Sequence, residues 1–310
     1  MQTPRDALTP DALAMLQTIA DTGSFAAAAR ALDLVPSALT YRVRQIEDAL
    51  DVLLFDRTSR QARMTEAGAE LLREGGRLLL EIDAVANRVK RVATGWEPQL
   101  TLAADGLMAR PVLMELACAF FQLEPPTRLR FRDETLSGTL EALTSGQADL
   151  ALGVSPSSGA MPGLHSQSMG SVGFVFAVAP HHPLATGDGV LGDDDLRAHR
   201  AVAVADSVQR GSGVTVSLLG GQDVFTVPTM QAKLDAQLRG LGSGFLPEPM
   251  ARPYIETGRL VVRHVARAPL VAHPRYVWRA STRPGRALQW WLDQLQSPVT
   301  RLALLEQHHH

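Results

Sequence analysis

Cysteine is almost missing: Cys118 is the only one in 310 residues. A single thiol excludes an intramolecular disulfide framework and a cysteine-rich metal site. It lies in the apolar run Leu116–Phe121 and is therefore expected to be a buried structural thiol. Lysine is nearly as scarce, since only Lys90 and Lys233 occur, so arginine carries the positive charge. Neither sign dominates, with a net charge of -2. A polyanionic partner would have to be held by local clustering rather than by global charge. No segment offers 18 uninterrupted apolar residues, and Met1–Pro10 lacks the apolar core of a signal peptide. A cytoplasmic protein without membrane attachment, metal or cofactor is expected. His308-His309-His310 read as the remnant of a purification tag and are set aside as metal ligands.

What is present begins with a three-helix segment over residues 9–65. Its second helix, Ser24–Leu32, is rich in alanine, which lets a following helix cross closely. A short turn at Asp33-Leu34-Val35 leads into a third helix from Pro36 to about Asp48. At 100° per residue, Leu39, Val43, Ile46 and Leu50 fall on one side and should seal a small core. The opposite side carries Ser37, Tyr41, Arg44 and Asp48, with Thr40 at one edge and Arg42 and Gln45 on the other flank. This is the pattern of a helix-turn-helix recognition helix, in which Ser37, Thr40 and Tyr41 meet base edges and an arginine reads guanine. Pro36 at the helix start and Ser24, capping the second helix, are placed beside phosphates.

The next stretch, Leu53–Thr65, reads as strand, basic turn and strand, which makes it a wing. Arg57, Arg60 and Arg63 bring positive charge into one loop with no acid between them. They are expected to grip the phosphate backbone, adding affinity and little sequence choice.

Gly23-Ser24-Phe25, Ala28-Ala29, Leu32, Ser37-Ala38-Leu39-Thr40, Ile46-Glu47, Leu50, Leu54-Phe55, Arg57 and Thr65-x-x-Gly68 together resemble the LysR-type transcriptional regulators. His181-His182-Pro183-Leu184-Ala185 and Gly240–Pro247 extend the likeness over nearly the whole chain. The family often carries Ser-Gln where this chain has Val35-Pro36, so one base contact is absent here. Val35–Ala38, Tyr41–Gln45 and Asn87–Trp96 are most similar to members tied to purine and ureide metabolism. The resemblance implies a homodimer through a linker helix, assembled further into a tetramer, on a pseudo-palindromic double-stranded DNA operator. RNA polymerase is a further candidate partner.

The chain has room for about two domains. Residues 1–64 form the winged helix-turn-helix and residues 65–95 a linker helix capped by Thr65. Thirty residues of helix span roughly 45 Å, and its apolar positions at three- and four-residue spacings ask for a partner helix. Gly75-Gly76 weaken its middle and favour a bend. From Gly95 onward strands and helices alternate, predicting two Rossmann-like α/β lobes with mostly parallel sheets, similar to periplasmic binding proteins. Lobe I covers about 98–168 and 267–300, and lobe II about 169–266, within an effector domain of 96–306.

A cleft between two lobes is the usual place for a ligand. Loops that follow strands there contain Asp105 and Gly106, then Glu134, Thr135, Leu136 and Ser137, then Ser207, and finally Thr229, Met230 and Gln231. The resemblance implies a small-molecule effector among them. Asp105 and Glu134 make the mouth acidic and would repel an anion. The expected ligand is therefore rich in hydrogen-bond donors, such as a purine-like base, a ureide or an amine. The competing reading gives Asp105 a capping role only.

Two other classes compete. An enzyme is disfavoured because Gly211-Ser212-Gly213 and Gly242-Ser243-Gly244 lack the flanks of a nucleophile elbow. The Gly240–Gly244 cluster also lies between a helix and a strand, the reverse of a dinucleotide-binding order. A solute-binding module explains residues 98–295 and leaves 9–65 unexplained.

Overall fold

In a computed structural model the described residues are 3–56, 62–155, 162–208, 217–280 and 283–309. The chain divides into two compact units, residues 1–88 and 89–310.

The first unit opens with α1 (Pro4–Ala7) and α2 (Pro10–Thr22), each capped by a threonine and started by a proline. Gly23 ends α2 in the left-handed conformation, which glycine adopts without a Cβ penalty. Then follow α3 (Phe25–Ala31) and α4 (Pro36–Leu50). Ala28 and Ala29 have no solvent exposure, so α3 and α4 approach closely. Leu39, Val43 and Ile46 of α4 join Leu16, Ile19 and Leu54 in one core. A short antiparallel pair, β1 (Phe55–Asp56) and β2 (Arg63–Met64), is the wing. Thr65 begins α5 (Glu66–Thr94), its hydroxyl accepting from the Gly68 amide at 3.0 Å. Gly68 is required sterically, because a Cβ there would lie 2.1 Å from the Leu54 carbonyl oxygen.

Helix α5 runs unbroken through Gly75-Gly76. Gly75 faces Leu13, whose side chain would meet a Cβ at 2.7 Å, so close packing accounts for this glycine. Leu71 and Leu72 pack on the helix-turn-helix core. Further along, Leu78, Ile82, Val85, Val89 and Val92 are exposed, at 57, 47, 46, 64 and 85%. Their steps of four and three residues match a coiled-coil seam.

The second unit holds two lobes. In lobe I, β3 (Gln99–Asp105), α6 (Arg110–Phe121), β4 (Arg128–Glu134), α7 (Gly138–Thr144), β5 (Leu150–Val154) and β6 (Leu164–Ser168) appear in order. Lobe II follows with β7 (Val172–Val178), a 3₁₀ turn at Pro183–Ala185, α8 (Asp193–Arg197), β8 (Ala201–Val204), β9 (Val224–Val227), α9 (Met230–Leu238), β10 (Gly244–Pro247) and α10 (Glu248–Glu256). Then come β11 (Val261–Val262), β12 (Val271–Ala272), β13 (Arg275–Arg279), α11 (Arg286–Gln296) and α12 (Pro298–Glu306).

The sheets are mixed where mostly parallel ones were expected. In the order β4-β3-β5-β13-β6, only β4-β3-β5 pair in parallel, and the returning β13 runs antiparallel to both neighbours. In lobe II, β10, β11 and β12 all pair antiparallel with β7, while β8 and β9 are parallel. Short apolar strands read alike in both directions, and pairing sense depends on where connections cross. The Trp291 ring, with no exposure, anchors the lobe I core beside Phe120 and Phe131. Cys118 corrects its expectation: it is exposed, because α6 buries Val112, Leu113, Ala117 and Phe120 on its other face.

Candidate nucleic-acid interface and ligand cleft

The outward face of α4 carries the first site. Asp33, in the left-handed conformation at φ 53°, turns the chain between α3 and α4; aspartate tolerates this better than most residues. The Leu34 amide then donates to the Ala29 carbonyl at 2.8 Å. Helix α4 begins at Pro36 with no side-chain cap on its first turn. Pro36 has no N–H and the Ala38 amide donates to the Val35 carbonyl at 3.0 Å, so the Ser37 amide, with the helix dipole behind it, is the first-turn donor suited to a phosphate oxygen. Ser24, by contrast, uses its hydroxyl to cap α3, accepting from the Ala27 amide at 3.4 Å.

Ser37, Tyr41 and Arg44 are exposed along one line of α4, and Tyr41 is 63% accessible. The Thr40 hydroxyl donates to the Pro36 carbonyl at 2.9 Å, so toward a base edge its oxygen acts as an acceptor. Gln45 donates to the Tyr41 hydroxyl at 3.1 Å, which leaves the phenolic proton available. The pairing makes Gln45 part of this surface, a role that its flank position in the helical wheel did not single out. Arg42 stands apart from the line. It borders a groove of about 300 Å³ between α4 and the α1–α2 segment, shared with Asp6, Thr9 and Asp11.

The wing is held to this helix by Glu47. Its carboxylate is buried and accepts from the Leu54 amide at 2.8 Å and the Phe55 amide at 3.4 Å. The Ala62 amide donates to Gly23 at 3.0 Å, and the Phe25 and Phe55 rings meet edge to face at 5.3 Å. Arg63 is exposed on β2. Arg57 and Arg60 lie outside the described residues. Glu47 is the residue whose role sequence reasoning missed; an acid at a position otherwise turned toward the core was the available signal.

The second site lies where the loops of the two lobes meet. Both oxygens of Asp105 accept backbone amides, from Leu107 and Leu136, each at 2.9 Å. Burial pushes its pKa up to about 6. Glu134 pairs with Arg132 at 2.9 Å and accepts from the Ser207 hydroxyl at 2.7 Å. Ser207 in turn accepts from the Thr135 amide at 2.9 Å, while the Thr135 hydroxyl donates to the Ala205 carbonyl at 2.6 Å. Asp206 accepts from the Ser137 hydroxyl and from the Gly138 amide. A Cβ on Gly138 would overlap the Ser207 hydroxyl oxygen, so glycine permits this approach. Met230, the first residue of α9, packs on Gly106, with its Cβ 3.2 Å from where a Cβ there would stand. Thr229 caps α9, and Gln231 is exposed.

The expected loops do converge, but not as an open acidic mouth. Asp105 ties two loops together and Glu134 is balanced by Arg132, so neither offers a bare charge to a ligand. Arg132 and Asp206 complete a polar latch between the lobes. Asp206 could not be read from the sequence, because its partner Ser137 lies 69 residues away, whereas Arg132 stands two residues from Glu134 on one face of β4 and was open to a strand-periodicity reading. Among the described residues no cluster of His, Cys, Asp and Glu could hold a metal ion, and no helix is long and apolar enough to cross a membrane.

Two family models match the chain. Residues 10–69 match the bacterial regulatory helix-turn-helix protein, lysR family, and residues 93–298 the LysR substrate binding domain. Among curated proteins, the uncharacterized HTH-type transcriptional regulator YeeY of Escherichia coli is 34% identical, covering 92% of each chain. The HTH-type transcriptional activator AllS of Klebsiella pneumoniae is 32% identical over 82% of this chain and 94% of its own. Of solved structures, full-length CbnR complexed with its target DNA aligns with a TM-score of 0.60 at 19% identity, over 94% of this chain and 99% of that one. LysG of Corynebacterium glutamicum with bound effector Arg aligns with a TM-score of 0.52 at 23% identity, over 96% and 99%. A DNA-reading head, a linker helix and a two-lobed effector domain thus occur in one chain, which belongs to the LysR family of DNA-binding transcriptional regulators.

Proposed function

We propose that α4 enters the major groove of a pseudo-palindromic operator with Ser37, Thr40, Tyr41 and Arg44 toward base edges. Pro36 and Ser24 mark the phosphate-facing helix starts, Arg57, Arg60 and Arg63 grip the backbone, and Arg42 adds charge at the flank. One observation carries this reading: the polar line on α4 is exposed and headed by an uncapped helix start, while the opposite side is sealed in the core. Arg44→Ala should cost about 1–3 kcal/mol at the best site and relax sequence choice, with Tyr41→Ala acting in the same sense. Arg60→Ala should weaken all duplexes alike and reduce the salt dependence. Selection of genomic fragments on the purified protein, followed by binding titrations at several salt concentrations, measures both. A wing variant that altered sequence preference would overturn the division of roles.

Two copies join through the exposed apolar seam of α5, and such dimers pair into a tetramer that engages RNA polymerase from its operator. A small molecule bound between the lobes switches the assembly by favouring one lobe arrangement over another. The effector contacts are Asp105, Gly106, Glu134, Thr135, Leu136, Ser137, Ser207, Thr229, Met230 and Gln231. A donor-rich ligand, such as a purine-like base, a ureide or an amine, is favoured. Its N–H groups would replace Ser137, Gly138 and Ser207 as donors to Asp206 and Glu134. Ser207→Ala should weaken the unliganded latch and alter the response to such ligands.

A further inference from the structure

We propose that lobe II contains a second, separate pocket in which Lys233 binds a small carboxylate-type anion. Lys233 stands on the second turn of α9 and lines a cavity of about 20 Å³ together with Phe176, Leu196, Ser217, Ser243 and Phe245. That volume suits one or two water-sized groups, the size of a carboxylate head. Among the described residues no acidic side chain borders the cavity and no hydrogen bond or ion pair engages the Lys233 ammonium. Lys233 is half-buried; a partly desolvated cation without a counter-charge is costly, whereas an anion brought beside it is held strongly.

The surroundings favour an oxyanion. Ser217 and Ser243 line the same space; the Ser243 hydroxyl donates to the Arg200 carbonyl at 3.4 Å, which leaves Ser217 as the hydroxyl able to donate to an anion. Phe176 and Phe245 give the space apolar walls, and the N-terminal half of a helix favours negative charge. The space beside the ammonium is kept open by Gly244, where a Cβ would stand 3.3 Å from Nζ. The Gly244 carbonyl is already occupied by the Gln237 side-chain amide at 2.9 Å, so it is not a free acceptor for the lysine. Desolvation lowers the Lys233 pKa to about 8, which leaves the amine mostly charged at neutral pH. Lys233 is the one titratable side chain among the described residues lining the cavity.

The anion is either a free small acid or the carboxylate end of a larger organic acid. Titration of the full-length protein with ¹³C-acetate, followed by NMR, tests the site in the absence of DNA. Saturable broadening is expected for the wild type at pH 7 and absent for Lys233→Met. With a pKa near 8, the protonated share falls from about 90% at pH 7 to about 3% at pH 9.5, so wild-type affinity should drop about 30-fold. That pH comparison decides the matter even if the variant fails to fold. Tighter binding of hexanoate than of acetate assigns the pocket to the end of a larger acid; binding of acetate alone assigns it to a free small one. No saturable acetate binding, or binding that survives Lys233→Met or the rise in pH, overturns the proposal. Either result leaves the DNA-binding function untouched.

Discussion

Replacing Glu47 by alanine should uncouple the wing from the recognition helix and destabilise the first unit. The carboxylate is 4% exposed and accepts two backbone amides at 2.8 and 3.4 Å. A hydrogen bond to a charged group contributes about 1.5–3 kcal/mol, and an orphaned buried amide adds a desolvation cost. The shorter bond should deliver most of this and the longer one little, so the loss is about 3 kcal/mol. For a domain of this size each kcal/mol lowers the midpoint by about 4–8 °C, giving a fall of roughly 12–24 °C. Glu47→Gln keeps one neutral acceptor and should lose only about 1 kcal/mol. Thermal unfolding followed by circular dichroism reads the shift, and hydrogen exchange at Leu54 locates it. Should Glu47→Ala melt within a few degrees of the wild type with the Leu54 amide still protected, the carboxylate is not what holds the wing.

Asp105→Asn should change the pH dependence of the second unit. The folded pKa of about 6 lies above the ordinary 3.8, so the folded state binds the proton more tightly and the wild type loses stability as pH rises from about 4 to 6. The variant should lack that loss, gaining about 3 kcal/mol relative to the wild type between pH 4 and 7 in urea titrations, and a pH-independent difference would refute it. Ile82→Asp or Val89→Asp puts a charge in the α5 seam and should yield monomers by light scattering while the helical content stays intact; an unchanged mass would exclude the seam as the dimer contact.

The local patterns were legible because each depends on neighbours within a few residues. The 3.6-residue spacing of Leu39, Val43 and Ile46 specified which face of α4 is buried. The alanines of α3, the Thr65 cap and the α5 stripe followed from the same short-range rules. The basic wing was readable as composition alone. What the tertiary structure decided was every relation between distant segments. Strand direction around β7 depends on which segments cross back to it, and apolar strands carry no mark of that. Cys118 sits in an apolar run, yet α6 turns it to solvent. Asp105 and Glu134 looked like free acids because charge is visible in a sequence and most of its partners are not. Only folding brings Ser207 to Glu134 and the Leu136 amide to Asp105, 73 and 31 residues apart; the Arg132 partner of Glu134 is two positions away on the same strand. The same holds for Lys233, half-buried and without a counter-charge among the described residues, because α9 packs against β8 and β10.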